Sequence, residues 1–133
     1  NGVRFVLPTR LEIGNNTTIN SKAFLDTRKG IKIGNNTMIG REVQIYTLTH
    51  DIYDPYFKAI GDKVVIGDNV VIFPSVKIMP GVKIGNNVVI YPGSIVTKNI
   101  ENNVIVAGMP AKKVGMRDIE IKYKLEYKMF WGT

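Results

Sequence analysis

Four segments of the chain nearly copy one another: Leu-Glu-Ile-Gly-Asn-Asn at 11–16, Ile-Lys-Ile-Gly-Asn-Asn at 31–36, Val-Val-Ile-Gly-Asp-Asn at 64–69 and Val-Lys-Ile-Gly-Asn-Asn at 82–87. A finer period of six runs through them. Aliphatics fall at Ile13, Ile19 and Leu25, at Ile33, Ile39 and Ile45, at Ile66, Ile72 and Ile78, and at Ile84, Ile90 and Val96. Four residues after most of these stands a second small or β-branched side chain, as at Thr17, Ala23, Thr37, Val43, Val70, Val76 and Val88. Six is neither the 3.6 of a helix nor the 2 of a long strand. It suits a strand of about four residues followed by a corner of about two.

Corners need residues that tolerate unusual φ and ψ, and these positions hold Asn15–Asn16, Asn35–Asn36, Asp68–Asn69, Pro80–Gly81, Asn86–Asn87 and Pro92–Gly93. Three hexads close one turn of a triangular prism, and each inward aliphatic then lies above its copy one turn below. Each fully buried Ile or Val stabilises by roughly 1.5–3 kcal/mol. A single turn cannot hide that surface, so the stack is stable only as an array. The expected fold is an all-β parallel β-helix over 1–115. The period leaves its hand open, and the general rule for parallel crossovers favours a right-handed one.

Spacing between the copied isoleucines marks the interruptions. Ile66 and Ile84 are 18 residues apart, one plain turn, whereas Ile13 and Ile33 are 20 apart and Ile33 and Ile66 are 33 apart. Two extra residues therefore lie near Thr27–Gly30, and a long loop insertion covers about 46–63. That insertion carries Pro55, Gly61, several aromatics and His50, the only histidine of the chain. A loop of this length on a rigid scaffold is usually functional or disordered, and its aromatics argue against plain disorder.

Composition narrows the functions. The chain has no cysteine, which removes disulfides, thiolate metal sites and a cysteine nucleophile together and fits a reducing, cytoplasmic compartment. No secretory-signal pattern opens it, and no apolar run is long enough to span a bilayer. A net charge of +7 over 133 residues is compatible with nucleic acid or an anionic small molecule. The lysines are spread along the chain without a basic-aromatic module, so no nucleic-acid partner is expected. One histidine does not make a three-histidine metal site, and no metal is expected.

The Ile-Gly-Asn-Asn-Thr/Val pattern resembles the hexapeptide repeat of the left-handed β-helix acyltransferases, over nearly the whole stretch from Leu7 to Gly115. The resemblance implies a left-handed coil. From its own residues, His50 reads as a loop histidine capping a local hydrogen bond. Within Thr47–Pro55, however, Thr-Leu-Thr-His-Asp-Ile-Tyr-Asp-Pro is similar to the segment of hexapeptide-repeat O-acetyltransferases whose histidine is the catalytic base. The implied reaction is transfer of an acetyl group from acetyl-CoA to a hydroxyl of a sugar or saccharide. Histidine suits the proton-accepting task because its ordinary pKa of about 6.5 lies near working pH. With no evident nucleophile, direct attack without an acyl-enzyme is the simpler route. Asp51, Asp54 or a backbone carbonyl would hold the other ring nitrogen.

Further segments extend the resemblance. Ile19–Gly30 is similar to the acceptor-binding segment of polysaccharide-directed members, which implies that Asn20 and Asp26 meet acceptor hydroxyls with Arg28 close by, and Asp51 is a further acceptor-side candidate. The competing reading makes Asn20 and Asp26 corner residues only. Gly93–Ile100 and Val106–Gly115 resemble the last turn and coenzyme A segment, implying contacts from Thr97, Lys98, Gly108, Lys112 and Lys113. For the pair at 112–113, edge protection of the sheet is an equal alternative. The family often carries a tryptophan in the turn after the loop, where this chain has Val71 and Phe73–Pro74, so contacts around Ser75 are expected to differ.

After the repeat, Ile119, Ile121, Tyr123, Leu125, Tyr127 and Met129 alternate with mostly charged or polar residues. The period of two predicts a half-buried strand in a C-terminal arm, 116–133, covering its own prism or a neighbouring subunit. The resemblance implies homotrimers with active sites between subunits. An N-acyltransferase acting on an amino sugar and a non-catalytic β-helix that only binds or scaffolds are the competing functions.

Overall fold

The structure is a computed structural model and describes residues 2–126. The hexads form three parallel sheets. The first face stacks Arg4–Val6, Phe24–Asp26, Gln44–Ile45, Lys77–Ile78 and Ile95–Val96. The second stacks Leu11–Ile13, Ile31–Ile33, Val64–Ile66 and Lys83–Ile84. On the third lie Thr18–Ile19, Met38–Ile39, Val71–Ile72, Val89–Ile90 and Val104–Gly108.

Register follows the repeat residue for residue. Ile13 pairs with Ile33, Ile33 with Ile66 and Ile66 with Ile84. Leu25, Ile45, Ile78 and Val96 form the matching column of the first face, and Ile19, Ile39, Ile72 and Ile90 that of the third. These columns point inward, and from Leu25 onward they are almost completely buried. Ile13 is 43% exposed because it belongs to the lowest turn among the described residues.

The Gly-Asn-Asn corner has a steric logic. Asn35 Oδ1 accepts from Asn15 N, Asp68 Oδ1 from Asn35 N, Asn86 Oδ1 from Asp68 N and Asn102 Oδ1 from Asn86 N, all at 2.7–2.8 Å. Each such side chain occupies the space where a Cβ on the glycine of the neighbouring turn would sit. A Cβ on Gly34 would lie 2.3 Å from Asp68 Oδ1, and one on Gly67 2.3 Å from Asn86 Oδ1. The second asparagine of each corner adopts the left-handed conformation that asparagine tolerates, with φ of 59°, 53°, 55° and 59° at Asn16, Asn36, Asn69 and Asn87. Their carboxamides form a ladder, with Asn36 Nδ2 donating to Asn69 Oδ1 at 2.9 Å and Asn69 Nδ2 to Asn87 Oδ1 at 3.1 Å.

Ala111–Met116 folds back antiparallel on Val104–Gly108 and covers the open edge of the third face. The arm beyond it departs from the expected strand: residues 117–126 have no regular secondary structure, bend at Ile119 and join no ladder. The arm lies on its own prism, along the asparagine corner, and side chains hold it there. Asn36 Oδ1 accepts from Leu125 N at 2.7 Å, Asn36 Nδ2 donates to Tyr123 O at 2.9 Å, and Asn16 Nδ2 donates to Leu125 O at 3.1 Å. A corner offers carboxamides rather than a free strand edge, so alternation produces half-buried Ile121 and Leu125 without sheet pairing. Tyr127 and Met129 lie outside the described residues.

Candidate active site

All the interruptions of the repeat fall on one edge of the prism, the corner joining the first face to the second. Up that edge run the turn Pro8–Arg10, the Thr27–Gly30 corner, the 46–63 insertion, Pro80–Gly81 and Thr97–Lys98. Neighbouring turns rise by about 4.8 Å, so Thr97 stands roughly 10 Å above the base of the insertion.

The insertion is built rather than loose. Leu48–His50 pairs antiparallel with Ala59–Gly61, placing His50 opposite Ala59. The tip is closed by aspartates: Asp51 Oδ1 accepts from Tyr53 N and Asp54 Oδ1 from Tyr56 N, both at 2.9 Å. The His50 ring is exposed and stacks on Phe57 with centroids 4.4 Å apart and planes 3° from parallel. Asp51 and Asp54 thus each commit one carboxylate oxygen to a turn. Ile52, Tyr53, Tyr56 and Phe57 are exposed on the same loop.

Thr47 anchors this hairpin. Its side chain is fully buried; Oγ1 donates to the carbonyl of Asp26 at 2.8 Å and accepts from Lys29 N at 3.0 Å. Asp62 N donates to Thr47 O at 3.1 Å, and Gly81 N donates to Asp62 O at 3.2 Å, which ties the returning strand to the turn above. Gly61 permits this closure, since a Cβ there would lie 2.1 Å from Thr47 O. Thr47, Gly61 and Phe57 are site-building residues that sequence reasoning missed. The signal available was position, because Thr47 stands where the repeat opens.

Asp26 is fully buried and both its carboxylate oxygens face Arg28, at 2.7 Å from Nε and 2.9 Å from the far guanidinium nitrogen. Burial pushes the Asp26 carboxyl upward, but the Arg28 side chain, helped by the main-chain N–H groups of Arg28 and Thr47, outweighs it and leaves the pKa below the ordinary value. The same pairing raises Arg28. Arg28 keeps 44% of its side chain exposed and presents an oriented guanidinium at the edge. Asn20 is exposed at the other end of the first face, roughly 15–20 Å away by strand rise, so within one chain it is not brought to the His50 edge.

The coenzyme candidates gather at the C-terminal end. Lys98 and Lys113 line one cavity of about 290 Å³ beside Ile100, Val104 and Ala111. Thr97, Gly108 and Lys112 are exposed nearby in the chain but do not line it. Gly108 has φ 105° and its N–H donates to Ser94 Oγ at 3.1 Å. Asn99 and Glu101 line it too; the two lysines outnumber the one carboxylate, and with the apolar floor they suit a ligand that combines phosphates with an apolar arm. Ser75 is an exposed corner residue with φ 65°, following Phe73, whose ring stacks against Tyr91 at 6.1 Å.

Comparison with known proteins agrees with this architecture. Residues 63–98 match the family described as bacterial transferase hexapeptide (six repeats). The galactoside O-acetyltransferase of Escherichia coli K12 is 34% identical over 96% of this chain and 65% of its own length. The chain thus spans less than two thirds of the curated relatives it matches. Among solved structures, a hexapeptide-repeat acetyltransferase from Vibrio cholerae complexed with acetyl coenzyme A superposes with a TM-score of 0.84, at 28% identity over 88% of this chain and 66% of that one. A galactoside acetyltransferase in complex with coenzyme A gives 0.82, at 32% identity over 94% of this chain and 67% of that one. Coils of opposite hand do not superpose, so the left hand implied by the family resemblance holds and the right hand favoured by the crossover rule does not. With its register, hand and sequence in common with these proteins, the chain belongs to the hexapeptide-repeat acyltransferase family of left-handed β-helices.

Proposed function

We propose that the chain is an acetyl-CoA-dependent O-acetyltransferase acting on a hydroxyl of a sugar or saccharide, with His50 as general base. The observation that carries this reading is the common edge. A single excursion from the repeat, pinned by Thr47, holds an exposed imidazole below the Thr97–Lys98 corner. The galactoside O-acetyltransferase relatives support the reaction class, and the coenzyme-bound neighbours support the donor.

The coenzyme supplies an acyl thioester. His50 accepts the proton of the acceptor hydroxyl as that oxygen attacks the thioester carbonyl; the C–S bond breaks, and the departing coenzyme thiolate takes the proton back from His50 and leaves as the thiol, so no acyl-enzyme is needed. Phe57 fixes the plane of the imidazole, and the Thr47 anchor fixes the hairpin's position over the edge. Arg28, held by Asp26, is oriented to donate to acceptor oxygens, with Asn20 and Asp51 on the acceptor side. Lys98 and Lys113 hold phosphate, with Thr97, Gly108 and Lys112 alongside. The exposed aromatics of the loop suit packing against a neighbouring subunit, and a cytoplasmic homotrimer with sites between chains is part of the proposal.

The test is thiol release from acetyl-CoA with a panel of sugars and oligosaccharides. His50→Ala is expected to lower the rate by roughly 10²–10⁴ with an unchanged melting temperature. An unaltered rate removes His50 as the base, and no thiol release with any acceptor removes the enzymatic reading.

A further inference from the structure

The first face carries a groove that no step of the proposed transfer uses. Arg4, Phe24 and Gln44 stack outward on successive turns. Together with Lys22 at one corner and Tyr46 toward the other, they line a recess of about 670 Å³. Among the described residues no carboxylate lines it, and neither Arg4 nor Lys22 makes an ion pair. Two cations facing one recess repel each other, and a bound anion relieves that repulsion.

The rest of the lining has the chemistry of sugar recognition. Phe24 and Tyr46 present rings 5.8 Å apart and tilted by 48°, an apolar platform for the C–H face of a pyranose. Tyr46 Oη donates to Gln44 Oε1 at 2.6 Å, which locks the tyrosine and leaves the Gln44 amide N–H groups for a hydroxyl. Tyr46 immediately precedes the anchor Thr47 and lies four residues before His50, a reach of roughly 13 Å along extended chain.

We propose that this groove binds an acidic saccharide, seating a carboxylate-bearing unit with its ring on Phe24 and Tyr46 and its carboxylate between Arg4 and Lys22. The inference rests on the hydroxyl-transfer reading for its link to His50, and it names the acceptor as anionic and longer than a monosaccharide. Neutral sugars have only the aromatic platform and Gln44 and bind weakly.

The test separates binding from chemistry by using His50→Ala protein in calorimetric titrations. Tetragalacturonic acid and maltotetraose, equal in length but one anionic and the other neutral, are the probes. The acidic probe is expected to bind at least about tenfold more tightly, with an advantage that shrinks from 50 to 200 mM salt. Arg4→Gln with Lys22→Gln is expected to abolish the difference, and Tyr46→Ala to weaken both probes. Equal affinity, no binding of either probe, or an acidic preference that survives the double substitution overturns the proposal. Loss of acetyl transfer by the wild type with every acceptor would not touch this result, so the two readings fail separately.

Discussion

Thr47 Oγ1 donates a 2.8 Å hydrogen bond to the main-chain carbonyl of Asp26, one turn below it on the same edge. This bond couples the departure point of the long loop to the corner that holds the buried carboxylate. The position of His50 is thereby set by the stack and not by the loop alone. The hairpin inherits the rigidity of the prism through one buried hydroxyl.

Replacing Thr47 with valine keeps the volume and removes that hydroxyl. The Asp26 carbonyl and the Lys29 N–H each lose a partner, at a cost of about 1–3 kcal/mol in global stability. Denaturant titration reads the cost, and hydrogen exchange reads its location as faster exchange across residues 48–61. Unchanged protection of the hairpin would show that Thr47 does not anchor it.

The Asp26–Arg28 pair makes stability depend on acid. Asp26 has its folded pKa held below the ordinary carboxylate value of 3.8, so the unfolded chain binds the proton more readily. The pair's contribution is complete above that value and is lost as pH falls through the lower folded pKa. Asp26→Asn is therefore expected to be less stable than the wild type at pH 7, with the gap closing below about pH 4. Urea midpoints at pH 7, 5, 4 and 3 measure this, and a gap independent of pH contradicts it.

Glycines on the two kinds of corner should differ in their tolerance of alanine. In Gly67→Ala, the new Cβ meets Asn86 Oδ1 at 2.3 Å and backbone atoms of Gly85 at 2.8 Å, so the bond from Asp68 N must break. The expected loss exceeds about 3 kcal/mol. Gly93→Ala meets nothing within 4 Å and has only the penalty of its φ of 72°, about 1–2 kcal/mol. Thermal melts rank the two variants, and the reverse order would refute the steric account of the corner.

Much of this architecture is legible in the sequence because stacking turns a linear period into a spatial column. The spacings among Ile13, Ile33, Ile66 and Ile84 give the register directly and locate both insertions on one edge. His50 stands out because the repeat breaks around it. What stays hidden are contacts whose partners share no period. Thr47 and Asp26 lie 21 residues apart across an interrupted turn, and nothing local to Asp26 shows that Arg28 occupies both its oxygens. The arm misleads for a related reason: of its alternating apolar residues only Ile121 and Leu125 are half-buried while Ile119 and Tyr123 are exposed, and a strand also needs a free ladder edge, which the asparagine corner does not offer.

That corner supplies a last prediction. Asn36 holds the arm from both ends of its carboxamide, accepting from Leu125 N and donating to Tyr123 O. It also sits at φ 53°, so alanine would combine strain with loss of the contacts. Asn36→Gly accepts that backbone without strain and deletes only the side chain. The two contacts together contribute about 1–3 kcal/mol to docking of the arm. The variant also loses the Asn36–Asn69 rung of the carboxamide ladder, but the buried aliphatic columns that hold the prism are unchanged. Trypsin is then expected to cut after the exposed Lys122 and Lys124 several-fold faster, with little change in melting temperature. Cleavage at the wild-type rate would mean that the contacts of Arg117, with Asn69 O at 2.8 Å and the Tyr123 ring at 5.6 Å, hold the arm without Asn36.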